Sequence, residues 1–212
     1  MKISRGMLIV FEGLDRSGKS TQSKLLCEAL NAKNMQSELW RYPDRTTSIG
    51  GLINSYLCKQ IELDDHAVHL LFSANRWETV DSMKAKLNSG VNLIVDRYAY
   101  SGVAYTAAKP GFDFEWCKQC DIGLPKPDLV CFMDTKMADL DTRDAFGEER
   151  YEKVDFQRVV YKNFKKLFNL DNPTSDCLVV NAKDTIQNIH SEILNNVTIL
   201  TQNGLPSLSC LW

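Results

Sequence analysis

Five short runs rich in apolar residues recur along the chain, and polar residues, prolines or glycines bound each of them. A short apolar run between such breakers predicts a buried β-strand. Most of these runs are continuous rather than alternating, which indicates strands that are covered on both faces. The predicted strands span residues 7–11, 38–42, 91–95, 127–133 and 177–180.

Helical patterns separate the predicted strands. The longest cover residues 19–33, 64–88 and 185–200, and further helical patterns follow the third and fourth strands. Strands that alternate with helices predict parallel βαβ units, so we expect an α/β fold with a five-stranded parallel sheet flanked by helices. A tail from residue 203 onwards is expected to dock through Leu211 and Trp212.

Length and charge exclude several classes of protein. A chain of 212 residues favours a single domain over residues 1–212. The 25 Lys and Arg residues nearly balance the 27 Asp and Glu residues, giving a net charge of −2. We therefore expect neither nucleic acid nor an anionic membrane as a partner. No apolar run approaches the roughly 20 residues that a membrane-spanning helix needs.

The cysteines indicate a reducing compartment. The chain has seven of them, an odd number, and no secretory signal pattern opens the sequence. We expect free thiols and a cytoplasmic location, with a nuclear or organelle pool left open. Cys117 and Cys120 form a CxxC pair, but zinc would need a second ligand pair and a redox dithiol would need a βαβ redox context.

Residues 13–20 match the phosphate-binding pattern G-x-x-x-x-G-K-[ST] at every fixed position. The motif follows a predicted buried strand and opens a predicted helix. Glycines let successive backbone N–H groups point at phosphate oxygens, and the helix adds its positive end. We expect Lys19 to reach the β- and γ-phosphates of a nucleoside triphosphate and Ser20 to hold Mg²⁺. The alternative is a Gly-Ser turn that carries a lysine by chance.

Binding of a nucleoside triphosphate does not by itself define the reaction. Proteins with this loop include kinases, GTPase switches, motor ATPases and DNA-binding ATPases. The short chain argues against a motor, and a guanine-binding N-K-x-D loop is not found in the sequence. A small-molecule kinase is therefore the favoured class.

Arginines stand where loops should meet the ends of strands. Arg16 lies within the phosphate loop, Arg45 follows the second strand and Arg97 follows the third. Loops at the carboxyl ends of parallel strands line the ligand crevice, and phosphoryl transfer needs positive charge around its phosphates. Arg97 would clamp an acceptor phosphate, and Asp96 beside it would hold Mg²⁺ through water. A solvated surface charge is the alternative for any one of these arginines.

One predicted helix carries a candidate site for a planar base. His69, Phe72 and Arg76 lie three to seven positions apart, and Phe72 and Arg76 share a helix face. An aromatic ring would stack on a base while a guanidinium donates to a keto oxygen. The alternative is that Phe72 is core and that Arg76 extends along it to solvent.

Several motifs together resemble one enzyme family. They are VFEGLDRSGKST at 10–21, YPDR at 42–45, LLFSANRW at 70–77 and VDRYAYSG at 95–102, with LPKPD at 124–128 and FGEERYE at 146–152. In this order they resemble thymidylate kinase of the eukaryotic type. The resemblance implies the P-loop NTPase fold with a small lid at about 136–150, a homodimer, and Mg²⁺-dependent transfer of the γ-phosphoryl group of ATP to dTMP.

The resemblance also implies roles for individual residues. Phe72 would stack on thymine, Arg76 would donate to its O4 and so reject cytosine, and Tyr105 would lie under the sugar. Asp15 would accept from the 3′-hydroxyl, and Arg16 would bridge the donor and acceptor phosphates. The implied catalytic residues are Arg16, Lys19, Asp15 and Arg97.

The implied binding residues form three sets. The dTMP set comprises Asp15, Tyr42, Arg45, Phe72, Arg76, Arg97, Ser101, Gly102, Tyr105 and Tyr151. The ATP set comprises Gly13, Arg16, Ser17, Gly18, Lys19, Ser20, Thr21, Arg143, Ala182 and Lys183, and the metal set is Ser20 and Asp96.

Some positions depart from the family pattern, and other functions stay open. Tyr42 and Tyr105 stand where phenylalanine is also common, and Asp144 stands where a glycine would loosen the lid. A nucleoside kinase would need a carboxylate base near the acceptor hydroxyl, whereas the arginine-rich loops favour an acceptor that already bears phosphate. A third hypothesis is a regulatory protein that has lost catalysis. The presence of Arg16, Lys19, Ser20 and Asp96 argues against it.

Overall fold

The computed structural model describes residues 5–135 and 149–212, and within them the chain forms a five-stranded sheet and eight helices. The strands are β1 (Leu8–Gly13), β2 (Ser37–Arg41), β3 (Asn92–Asp96), β4 (Leu129–Asp134) and β5 (Cys177–Asn181). The helices are α1 (Lys19–Ala32), α2 (Ser48–Leu57), α3 (Asp65–Trp77), α4 (Val80–Asn88), α5 (Ala99–Thr106), α6 (Trp116–Gln119), α7 (Val154–Phe168) and α8 (Ile186–Asn203).

The sheet is parallel throughout, with the strand order β2-β3-β1-β4-β5. This confirms the predicted α/β class and its five strands. The central strand β1 pairs Val10 with Val95 of β3 on one side and with Val130 of β4 on the other. All five strands therefore end at the same edge, where their following loops converge.

Both faces of the sheet are covered by helices, as the continuous apolar strands predicted. On one face Leu8 and Val10 join a core built with α4, α5 and α7, and on the other Ile9 and Phe11 join α1 and α8. Successive side chains of a strand point to opposite faces, so one apolar run supplies both cores. A third cluster packs α2 against α3 through Ile53 and other apolar side chains.

The single helix predicted over 64–88 is wrong, because α3 and α4 are separate helices. The break lies at Thr79, whose backbone N–H and side-chain hydroxyl both donate to the Arg76 carbonyl. The neighbouring Glu78 carboxylate accepts from Asn75 and from Thr47. Such local bonds from side chain to backbone compete with the regular helical pattern.

The C-terminal tail docks on the sheet's core, as expected. Leu211 is 2% exposed and exchanges backbone hydrogen bonds with the loop at 123–124. The Trp212 ring lies edge-on to Tyr100, with 5.2 Å between the ring centroids. The tail therefore closes one side of the core that α5 and α7 share with the sheet.

Candidate active site

A cavity of about 450 Å³ opens where the loops following β1, β2 and β3 meet. Sequence analysis had assigned its candidate residues to five separate segments of the chain, and the structure brings most of them to this one cavity. Those lining it are Asp15, Arg16, Lys19, Ser20, Tyr42, Arg45, Phe72, Arg76, Asp96, Arg97, Ser101, Gly102, Tyr105 and Tyr151.

The phosphate loop joins β1 to α1 in the predicted strand–loop–helix arrangement. Gly13 has φ 143°, and a Cβ there would lie 2.7 Å from the Met133 carbonyl oxygen, so only glycine fits. Arg16 also lies in the left-handed region, with φ 61°. Gly18 caps α1 and offers no side-chain acceptor, so the first N–H groups of the helix are available to an anion.

Lys19 is buried beneath this loop. Its ammonium group donates to the Leu14 carbonyl (2.5 Å) and to Ser17 Oγ (3.2 Å). Burial lowers the pKa of Lys19 to about 7, and the charge of Arg97 acts in the same direction. A phosphate group bound beside this amine would favour its charged, ammonium form.

Ser20, at the N-terminus of α1, contacts Asp96, the last residue of β3. Ser20 Oγ donates to Asp96 Oδ2 at 2.5 Å, and Arg41 Nε lies 3.8 Å from the same oxygen. A hydroxyl and a nearby carboxylate are oxygen ligands of the kind that Mg²⁺ takes together with water and substrate phosphates. The pair therefore fits the predicted metal site.

Asp15 is the centre of a hydrogen-bond network in the phosphate loop. Arg97 Nη2 donates to Asp15 Oδ1 (2.5 Å), while the Tyr105 hydroxyl (3.0 Å) and the Gln157 amide (2.7 Å) donate to Oδ2. Burial would raise the pKa of Asp15, but the charges of Arg97 and Lys19 outweigh it and hold that pKa below its usual value. Asp15 is thus an ionised acceptor whose orientation is fixed from three sides.

The loop that carries Arg97 is held by Glu12, which sequence reasoning missed. The fully buried Glu12 carboxylate accepts from the backbone N–H groups of Tyr98 (2.9 Å) and Ser101 (3.0 Å), and from Ser101 Oγ (2.5 Å). From its place on β1, Glu12 therefore accepts hydrogen bonds from backbone N–H groups at the N-terminus of α5. A charged residue inside an otherwise apolar strand was the signal for it, because a buried carboxylate needs partners.

Arg76 does not extend to solvent, so that alternative is wrong. Its side chain is 2% exposed and forms a two-pronged pair with the fully buried Asp121, Nε to Oδ1 at 3.0 Å and Nη2 to Oδ2 at 2.5 Å. Ser73 Oγ lies 2.8 Å from the same carboxylate. A Cβ at Gly102 would lie 2.9 Å from Arg76 Nη2, so glycine makes room for the guanidinium. The pairing leaves Nη1 as the nitrogen available to a ligand.

The aromatic residues surround the cavity in different ways. Phe72 is half-buried: it lines the cavity and also packs on the α2–α3 cluster. The Thr79 hydroxyl donates its hydrogen to the Arg76 carbonyl. The Tyr42 hydroxyl, 2.5 Å from Thr79 Oγ1, is therefore the donor in the bond between these two residues. Burial raises the pKa of Tyr42 to about 12. The Tyr42 hydroxyl is therefore committed to Thr79, and that of Tyr105 to Asp15.

Two glutamates that sequence reasoning missed lie on the cavity's arginines. Arg45 Nη2 donates to Glu149 Oε1 at 2.8 Å, and Arg16 Nη2 lies 3.4 Å from Glu152 Oε1. Both carboxylates line the cavity. Arginine pairs with carboxylate and with phosphate oxygens, so these two guanidinium groups can hold an anion in the cavity.

The remaining candidates lie elsewhere or outside the described residues. Ala182 and Lys183 follow β5 at the same edge of the sheet, where the Ala182 N–H donates to the Asp134 carbonyl, but they do not line this cavity. Gly13, Ser17, Gly18 and Thr21 belong to the loop and to α1 rather than to the cavity wall. Arg143, Asp144 and all but the last two residues of the predicted lid at 136–150 lie outside the described residues.

A phosphate loop that opens onto a cavity lined by arginines and aromatic rings is the arrangement expected of a P-loop nucleoside monophosphate kinase. Within that class the chain belongs to the thymidylate kinase family. The family model for thymidylate kinase matches residues 11–193.

Individual relatives agree with this assignment over the whole chain. A thymidylate kinase of Homo sapiens is 50% identical over 214 residues, which cover 100% of both chains. One from Danio rerio is 51% identical over 193 residues, 91% of this chain and 90% of the relative. The solved structure of thymidylate kinase from Candida albicans superposes with a TM-score of 0.88 at 37% identity, covering 99% of each chain. No helix among the described residues is long and apolar enough to cross a membrane.

Proposed function

We propose that the protein transfers the γ-phosphoryl group of ATP to dTMP, giving dTDP and ADP, as a step of dTTP biosynthesis. One observation carries this proposal: Lys19 of the phosphate loop, Arg97 and the base-reading Arg76 line a single cavity. A donor phosphate on Lys19 and an acceptor nucleotide held by Arg76 would thus face each other across Arg97.

On the donor side, the loop at 13–20 and the N-terminus of α1 would hold the phosphates of ATP. Lys19 would pair with the β- and γ-phosphates, and Arg16 would bridge donor and acceptor as charge redistributes between them. As the family resemblance implies, Thr21, Arg143, Ala182 and Lys183 would also contact ATP. Ser20 and Asp96 would hold Mg²⁺, which when bound neutralises charge on the phosphate oxygens.

On the acceptor side, Arg45 and Arg97 would hold the monophosphate, with Tyr42 and Ser101 beside it. The substrate phosphate would replace the Glu149 carboxylate on Arg45. Asp15 would accept from the 3′-hydroxyl, because its fixed and ionised carboxylate is an acceptor only. Tyr105 and Tyr151 would lie against the sugar, and their rings pack on each other with centroids 5.7 Å apart.

At the base end, Phe72 would stack on thymine while Arg76 Nη1 donates to O4. The Asp121 pair orients Arg76, and Gly102 leaves the space that it occupies. A cytosine amino group at the same place would bring one donor against another. Sites that leave buried polar groups unpaired discriminate strongly against such substrates.

Catalysis would rest on position and charge rather than on a strong base. The acceptor already bears a phosphate oxygen, and transfer needs alignment and neutralisation of its charges. The buried carboxylates agree with this view, since Asp15 is fixed by Arg97 and Glu12 by the N-terminus of α5. Neither is a free base for a nucleoside hydroxyl.

The test is product analysis with Mg·ATP and dTMP. We expect ADP and dTDP in equal amounts, and loss of both in Lys19→Met. Lys24→Met is the matched control, because Lys24 lies on the same helix with a side chain that is 69% exposed. Formation of ADP without dTDP would contradict the proposal.

We also propose that residues 1–212 act as one kinase domain in a cytoplasmic homodimer. An exposed apolar patch supports the dimer: Leu70 and Trp77 share a face of α3, and Trp77 packs on Gly123 next to the exposed Ile122. Light scattering should give twice the 24.1 kDa chain mass, and Leu70→Glu should give the monomer. A monomeric parent protein would contradict this part of the proposal.

A further inference from the structure

His69 is a buried titratable residue to which neither the family resemblance nor the proposed mechanism gives a role. It lies on α3, one turn before Phe72 and two turns before Arg76, and only 1% of it is exposed. The Trp116 ring packs on it, with 5.2 Å between the ring centroids. Both of its ring nitrogens have partners, so its tautomer can be derived.

The partners of Nε2 decide which nitrogen carries the hydrogen. Nε2 lies 3.1 Å from the Cys117 carbonyl oxygen, which can only accept, and 3.2 Å from the Cys120 sulfur, a weak acceptor. Nε2 therefore carries the hydrogen and donates it. Burial, aided by the charge of Arg76, lowers the pKa of His69 to about 4, so the ring is neutral near pH 7. In a neutral ring with Nε2–H, Nδ1 is an acceptor.

This tautomer fixes the hydroxyl of Thr106. Thr106 Oγ1 lies 2.8 Å from His69 Nδ1, so the hydroxyl must donate its single hydrogen to that nitrogen. Its oxygen then has only lone pairs left for any other partner. Thr106 lines the same cavity as Phe72 and Arg76, so the wall of the base pocket includes a residue whose hydroxyl oxygen can only accept.

Thr106 and Arg76 are both neighbours of Gly102 in that wall. Arg76 packs on Gly102 of α5, and Thr106 follows Gly102 by one helical turn on the same face. The wall thus carries both a donor, Arg76 Nη1, and an acceptor, Thr106 Oγ1. Thymine presents the matching pair on neighbouring atoms, a keto oxygen at position 4 and an N–H at position 3. Cytosine presents the reverse pair.

We propose that His69 is a positioning residue for base specificity, which orients the Thr106 hydroxyl so that its oxygen accepts the N3–H of the pyrimidine. The proposal rests on dTMP being the acceptor substrate. It assigns recognition of the base to two contacts of opposite polarity, Arg76 at O4 and Thr106 at N3, each fixed by a buried partner.

The first experiment compares dTMP with 3-deazathymidine monophosphate, in which C–H replaces N3–H, as substrates of the full chain. The parent enzyme should favour dTMP roughly tenfold in kcat/KM, the typical effect of one buried hydrogen bond. Thr106→Val should bring this ratio close to one, while Thr106→Ser, which keeps the hydroxyl, should retain it. A parental ratio in Thr106→Val would overturn the proposal.

The second experiment separates His69 from a merely structural role. His69→Phe should lower the ratio of kcat/KM for dTMP to that for the 3-deaza analogue by roughly threefold. Without His69 Nδ1, the Thr106 hydroxyl is free to rotate and its oxygen is no longer held as an acceptor for the base. In the Thr106→Val background the same change should leave the ratio unaltered. A further fall in that background would overturn the positioning role, because His69 would then act independently of Thr106.

A spectroscopic measurement covers the case in which His69→Phe does not fold. Long-range ¹⁵N–¹H NMR on the parent chain distinguishes the tautomers of its three histidines. We expect hydrogen on Nε2 of His69, and hydrogen on Nδ1 would overturn the proposal. Absence of dTDP formation in every sample would contradict the proposed function instead, whereas dTDP formation with an unchanged ratio would contradict only this inference.

Discussion

Arg16 carries the central catalytic expectation at the scale of single residues. A residue other than glycine with φ 61° is strained by about 1–2 kcal/mol, and the phosphate loop holds Arg16 in that conformation. The same loop directs its guanidinium toward the cavity, where Glu152 lies 3.4 Å away. The proposed role of Arg16 between donor and acceptor phosphates rests on this position in the cavity.

Arg16→Ala should mainly lower kcat, by about 10²–10³-fold, because one preorganised donor to a developing charge contributes that much. Steady-state kinetics with saturating Mg·ATP and dTMP would measure it. Arg158→Ala is the matched control, because that arginine is exposed on α7 and its partner in the described part of the chain is Asp155 on the same helix. A raised KM with parental kcat would make Arg16 a binding residue and contradict the assignment.

Lys19 gives a prediction about protons. Its pKa of about 7 in the free protein leaves the amine largely neutral at about pH 8.5, and bound phosphates would favour the charged form. Binding of Mg·ATP should therefore take up close to one proton at that pH, and affinity should fall as pH rises above 7. Calorimetry in buffers of different ionisation enthalpy measures the uptake.

The control for this titration is Lys24→Met, which should keep the proton uptake, whereas Lys19→Met should abolish it. Lys24 is exposed and, within residues 5–135 and 149–212, pairs with Glu28 on the next turn, so it has no reason to change its protonation when nucleotide binds. Binding of nucleotide without proton uptake in the parent protein would contradict the proposed contact between Lys19 and phosphate.

Single residues also separate what sequence can predict from what it cannot. The loop at 13–20 could be found because its chemistry depends on a fixed local spacing. Asp121, Glu12 and Gln157 could not, since each is defined by a partner distant in the chain: Asp121 by Arg76, Glu12 by the start of α5, and Gln157 by Asp15. The roles assigned to the site residues remain predictions.

At the scale of elements, all five strands were predicted within about two residues. The central strands β1, β3 and β4 are buried on both faces and give continuous apolar runs, whereas the edge strands β2 and β5 are only partly buried. The helices were predicted less accurately than the strands. α2 was not predicted, since its Gly50 and Gly51 lower helix propensity, and packing of Ile53 and its neighbours on α3 stabilises it. The end of α3 depends on side-chain hydrogen bonds at Thr79 that no periodicity reveals.

The tail gives a stability prediction at this scale. Leu211→Ala should lower the free energy of unfolding by about 3 kcal/mol, since it empties a fully buried site in the core shared by α5 and α7. Thermal denaturation should show a fall in Tm of roughly 6–12 °C. Ile199→Ala, an exposed position on α8, should change little. Equal Tm values for both variants would contradict the docking of the tail.

At the scale of the whole molecule, the parallel order of strands creates the site. Alternating strands and helices predicted that the loops after β1, β2 and β3 would share one edge, and the cavity lies there. The strand order β2-β3-β1-β4-β5 could not be predicted from the hydrophobic pattern, because an apolar run does not indicate which other strand it pairs with. That order sets the phosphate loop beside Asp96 and Arg97, and so joins donor and acceptor chemistry.

The most direct test of the account is a coupled assay of ADP release with Mg·ATP. It compares dTMP, dUMP, dCMP, dGMP, UMP and thymidine as acceptors at one concentration. We expect dTMP to lead, followed by dUMP, because in the proposed mechanism Arg76 would donate to a keto oxygen and Arg45 and Arg97 would bind an acceptor phosphate. If thymidine leads instead, the role of these two arginines and the assignment as a dTMP kinase are both contradicted.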